Sequence, residues 1–167
     1  MGHRLVIWEG ERPADFAAGV RTMREVSRRY LYDDPAEPSP AIRKFVEALT
    51  EIWPDDPADP RWERSPWKFP PILDSASGPS IYLDLTLEGG WRESNTIAWV
   101  GDDYGLTTFD FMLGMLLPAP EAAITRRKVE MARELNEAIE RLRTARRQPR
   151  PATEGAWRPS TRRRRSC

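Results

Sequence analysis

The side chains best suited to chemistry are carboxylates, in two sets. Asp84 lies in Ser80–Leu87, where Ile81, Leu83, Leu85 and Leu87 alternate with Tyr82, Asp84 and Thr86. Asp110 follows the strand-like run Leu106–Phe109. At the carboxyl ends of two parallel strands, such a pair would serve acid–base catalysis if both groups were tuned by partial burial. The competing expectation is that both are solvated or paired with Arg. The second set, Gly101-Asp102-Asp103, spells a tripeptide that can hold metal ions. It falls at the end of a helical stretch, where paired negative charge opposes the dipole, so no metal site is expected.

Other chemistries lack their residues. His3 is the only histidine, which excludes a multi-histidine metal site and argues against a His-dependent triad; a lone histidine there reads as incidental. Cys167 is the only cysteine, so no intrachain disulfide forms. Gly89-Gly90 lacks the Lys-Ser/Thr context of a phosphate loop. The expectation is therefore no catalytic residue and no cofactor, with a small enzyme built on Asp84 and Asp110 as a remote alternative.

The elements that must position these groups follow from periodicity. His3–Trp8 reads as a short strand closed by Glu9-Gly10. A helix is expected from Pro13 to Tyr30, with Phe16, Val20, Met23 and Val26 on one face. A second starts at Ser39-Pro40, presents Ile42, Phe45, Val46, Leu49 and Trp53, and stops at Pro54. Seven prolines between Pro54 and Pro79 make that stretch irregular. Beyond the alternating strand, Gly89-Gly90 is expected as a break. A helix then runs from about Asn95 to Tyr104, capped by Ser94 or Asn95 and ended by Gly105. Leu106–Phe109 returns as a strand, and Met115–Leu117 adds a short edge.

The strand–helix–strand unit predicts parallel strands joined by a right-handed crossover. The expected class is α+β: a small mixed sheet in the order β-α-α-β-α-β, with helices packed on one face. A long helix follows from Pro118 and Pro120 to about Arg147. Its apolar stripe comprises Ile124, Met131, Leu135, Ala138 or Ile139, and Leu142.

Charge divides the chain at Pro118. Residues 1–118 carry 12 Lys and Arg against 20 Asp and Glu, a net −8; residues 119–167 carry 14 against 6, a net +8. Three parts are expected: an acidic domain at 1–118, a basic amphipathic helix at 119–147, and a disordered Arg-rich tail at 148–167. No apolar run approaches the roughly 20 residues of a membrane span, and Leu5-Val6-Ile7-Trp8 is too short for a signal-peptide core. A cytoplasmic protein is expected.

One set of residues carries a resemblance. Trp8, Phe45 and Leu49 before Trp53-Pro54, then Ser65-Pro66-Trp67, Ser80–Leu87, Ile97-Ala98, Tyr104 to Asp110 and Leu116-Leu117-Pro118 occur in order. This pattern resembles a family of small uncharacterised bacterial proteins, frequent in actinobacteria, some of them similar to immunity proteins encoded beside secreted polymorphic toxins. It covers most of residues 3–118. Where family members continue past the final Asp with Pro-Gln, this chain has Phe111-Met112. The resemblance implies a compact α/β domain with a binding role.

The expected function is non-enzymatic protein binding, in which the acidic domain engages a basic partner such as a nuclease toxin. Trp62 and Trp67 are the expected anchors, being of the type most often found as interface hot spots, with Asp102 and Asp103 as acidic contacts. For Trp67, simple plugging of the core competes. The alternative is a nucleic-acid-associated protein that grips phosphates through Arg158, Arg162, Arg163, Arg164 and Arg165, with Trp157 stacking on a base. The helix at 119–147 is expected either to dock on the domain or to pair with a second copy.

Overall fold

The computed structural model describes residues 2–33 and 35–147. The tail assignments at Trp157, Arg158, Arg162, Arg163, Arg164 and Arg165 lie outside the described residues. The chain divides into two units, Met1–Val129 and Glu130–Cys167. The boundary thus falls after Val129 rather than at Pro118, because Ala119 and Ile124 are buried in the first unit.

That unit is α+β, as its periodicities require. Its elements are β1 (His3–Glu9), α1 (Phe16–Val26), α2 (Pro40–Ile52), β2 (Ala76–Ser77), β3 (Ser80–Leu85), α3 (Leu87–Asp103), β4 (Leu106–Asp110) and β5 (Met115–Leu117). The strands form one sheet in the order β2-β3-β1-β4-β5. Strand β1 is central because Leu5-Val6-Ile7-Trp8 is apolar on both faces, and all four residues are buried.

Two details of the expected sheet are corrected. Every pairing is antiparallel, so the sheet is not mixed. Strands β3 and β4 do run in one direction, as a helical crossover demands, but β1 inserts between them and takes the hydrogen bonds of both. Helices also cover both faces. Helix α1 packs through Met23 and Val20 on Val6, Trp8 and Phe109. On the opposite face Gly90 of α3 abuts His3, and Gly101 nears Thr108 and the Phe45 ring of α2. A strand buried on both sides needs cover on both.

Helix α3 begins eight residues earlier than the expected Asn95. Thr86 is its N-cap, and its hydroxyl accepts a hydrogen bond from the Gly89 N–H at 3.0 Å. Gly89-Gly90 is therefore helical rather than a break. A Cβ at Gly90 would lie 2.0 Å from His3 Cγ, so close packing against β1, not chain flexibility, explains this glycine.

The proline-rich stretch is pinned to the sheet. Trp67 bridges Leu85, the Lys68 N–H donates to the Asp84 carbonyl at 3.0 Å, and the Thr86 N–H donates to Pro66 at 2.8 Å. At the other edge, the Arg12 guanidinium donates to the carbonyls of Leu116, Leu117 and Pro118 at 2.7–3.1 Å. Both sheet edges are thereby occupied, which disfavours strand addition by another chain.

A last helix, α4, spans Glu121–Arg147. Within the first unit, the Asn95 side chain exchanges two hydrogen bonds with the Ala119 backbone, and the Lys128 ammonium sits over the Trp91 ring at 5.3 Å.

Candidate binding groove

Helix α1 and the open half of its sheet face build the groove. Asp15 caps α1 by accepting the Ala18 N–H at 2.7 Å. Phe16, Val20, Met23 and Ser27 then recur at helical spacing and line one wall. After Val26 the chain continues as a π-helix, Ser27–Asp33, in place of the expected α-helix. Wider turns of this kind are frequent at functional sites. They carry Arg28 and Tyr32 along the same wall. Tyr30 anchors the segment: its ring fills the space where a Cβ on Gly78 would stand, at 2.9 Å, and Gly78 has φ +52°.

The sheet supplies the floor. Tyr82 and Phe109 flank Val6 on neighbouring strands, and Phe111 and Gly114 close the end. The resulting cavity is about 580 Å³, within the range of small-molecule and peptide side-chain sites. Phe109 meets Phe16 at 5.9 Å and Phe111 edge-on at 5.8 Å. Phe16 and Phe111 stay about half exposed and Tyr32 more so. Large aromatics left in water around one concavity make this groove the candidate site.

Charge is confined to the rim. The Arg28 guanidinium pairs with Asp33, whereas Arg24 has no ion pair among the described residues. Arg4 Nε donates to Asp84 Oδ1 at 3.1 Å. Burial pushes the Tyr82 phenol above its ordinary value; Arg4 opposes this, while Asp84 and Tyr32 add to it. Arg4 is in turn held above its usual range, first by Tyr82 and then by Asp84. A second hollow of about 290 Å³, lined by Gly2, Arg4, Lys68, Phe111 and Met112, shares Phe111 with the groove.

The carboxylate pair does not form. Asp84 pairs with Arg4 and Asp110 with Leu5 in register, and these successive β1 residues point to opposite faces. The acids are separated by the sheet. Asp110 instead belongs to the sealed face, where His3 Nε2 donates to its Oδ2 at 2.7 Å and the Leu113 N–H donates to its Oδ1 at 2.9 Å. Both side chains are fully buried, and Trp91 stands edge-on to the imidazole at 5.5 Å. His3 is thus not incidental; it ties β1 to β4. With no solvent access, the pair serves structure rather than acid–base exchange. The signal for it was the phase of His3 with Leu5 and Ile7, which directs all three inward.

The remaining expected site residues are scattered. Trp67 is 2% exposed, donates Nε1–H to the Trp53 carbonyl at 3.0 Å and meets the Trp53 ring edge-on at 5.9 Å. It is a core residue, so its expected role as an interface anchor is corrected. Trp62 is half-buried on the short 3₁₀ turn Trp62–Arg64. Asp102 and Asp103 are exposed in the last turn of α3. Among the described residues, no group of three or more His, Cys, Asp or Glu is placed to hold a metal, and no helix is long and apolar enough to cross a membrane. No family model, curated protein or solved structure matches the chain.

Proposed function

We propose that the first unit is a non-enzymatic protein-binding factor, of the immunity type that the residue pattern suggests, and that the α1 groove is its anchor site. The observation that carries this reading is the 580 Å³ apolar concavity ringed by exposed Phe16, Tyr32 and Phe111. Aromatics already in place around a pocket bind at low conformational cost. Blocked sheet edges favour side-chain insertion over strand addition.

Long-range and local charge differ in sign. The net −8 of residues 1–118 speeds approach of a basic protein. Arg24 and Arg28 flank the groove itself, so the segment that enters is apolar and carries a carboxylate of its own. Affinity capture from the producing cell tests the reading, with the wild-type chain run beside a Phe16→Asp/Phe111→Asp variant of unchanged circular dichroism. A partner retained by the first and lost by the second is expected; equal retention rules out the groove. Growth rescue against a toxin encoded next to this chain tests the immunity class.

A second reading rests on charge alone. Arg141, Arg143 and Arg146 of α4 are exposed and continue the basic composition of residues 148–167. Deleting 148–167 should then abolish salt-sensitive retention on nucleic acid.

A further inference from the structure

The part of α4 that lies in the second unit exposes an apolar stripe. Met131, Leu135, Ala138, Leu142 and Ala145 recur at spacings of four and three, with Ile139 beside them. Leu135 is 62% exposed and Leu142 67%. The helix holds itself together on its polar sides: Arg141 pairs with Glu137 at 3.3 Å and Arg143 with Glu140 at 2.6 Å.

We propose that this stripe pairs with the same stripe of a second copy, in antiparallel orientation. Two independent features of the helix set the direction. The first is shape. An antiparallel register centred near residue 140 sets Leu135 against Ala145 of the second copy and Leu142 against its Ala138, so each large side chain meets a small one. The two Ile139 residues meet near the dyad. A parallel register stacks Leu on Leu and Ala on Ala, which leaves a void at every Ala layer.

The second feature is charge. Glu130, Glu134, Glu137 and Glu140 against Arg133 give residues 130–140 a net −3, while Arg141, Arg143, Arg146 and Arg147 give residues 141–147 a net +4. Antiparallel pairing sets −3 against +4 at both ends. Parallel pairing sets like against like within a Debye length of about 10 Å. The helix thus specifies its occupant, because its charge and its large and small side chains are complementary to its own reverse.

Sedimentation equilibrium of the full chain over increasing concentration tests the proposal. A reversible dimer that weakens with salt is expected, and Leu135→Glu/Leu142→Glu should raise its dissociation constant at least about tenfold while helicity is retained. A Cys167→Ser/Glu130→Cys chain carrying a spin label reports direction: antiparallel pairing offsets the labels by about 30 Å along the axis, at 1.5 Å rise per residue. A monomer at every concentration overturns the proposal. So does a dimer that survives both Glu substitutions, or labels lying side by side.

Discussion

The two faces of the sheet are built from the same strand and end in opposite conditions. On one, His3, Leu5 and Ile7 lie beneath α2 and α3, and even a methyl group at Gly90 has no room. On the other, Val6 and Trp8 are covered by Met23 of α1, but the cover ends short of Phe111 and a groove remains. The face under two helices holds the fold together. The face under one helix leaves apolar surface exposed, and it is there that the proposed partner would bind. On the proposed reading, stability and recognition are divided between the sides of a single strand, because period-2 alternation commits every second residue to each.

The largest effect should come from the sealed side. Trp67→Ala removes a buried indole and its hydrogen bond to Trp53, and is expected to cost about 3–5 kcal/mol in urea denaturation. A loss of partner binding with unchanged stability would instead return Trp67 to the interface and break the division between faces.

Next in size is Asp110→Ala, which strands a buried His3 Nε2–H and the Leu113 N–H together. A cost of about 3 kcal/mol is expected, with binding through the groove retained in whatever fraction stays folded. A variant as stable as the wild type would remove the reason for calling that face structural.

A smaller effect sharpens the open side. The folded Tyr82 phenol titrates above its unfolded value of about 10, because burial favours the neutral form. Its contribution to stability is therefore complete below about pH 10 and is lost as pH rises through the raised value. Difference absorbance of the phenolate reads it directly. Arg4→Gln should shift the transition further upward, since Arg4 is the neighbour that opposes the rise. A downward shift would show that Arg4 does not act on the groove floor.

Much of this was written locally in the chain. The strict alternation of residues 80–87 marked β3, and Ile42, Phe45, Val46 and Leu49 marked the buried side of α2. What failed depends on contacts distant in sequence. Gly89-Gly90 reads as a break until His3 is known to press against it. His3 and Asp110 are 107 residues apart, and no local pattern joins them. The insertion of β1 between β3 and β4 leaves those strands running in one direction but takes the pairing that the crossover alone led one to expect between them. The groove was missed for a related reason: α1 showed its apolar face, but nothing nearby told how far that face is covered. Residue type alone did not separate Trp67 from Trp62; burial places Trp67 in the core and leaves Trp62 half-buried at the surface.

Photo-crosslinking in the producing cell tests the central claim most directly. A benzoyl-phenylalanine placed at Phe111 or Phe16, on the groove, should yield a covalent adduct with a partner protein, and the same group at Asp102 or Trp62 should yield none. Adducts at Asp102 or Trp62 with none at Phe111 and Phe16 would contradict the account and move recognition away from the α1 face.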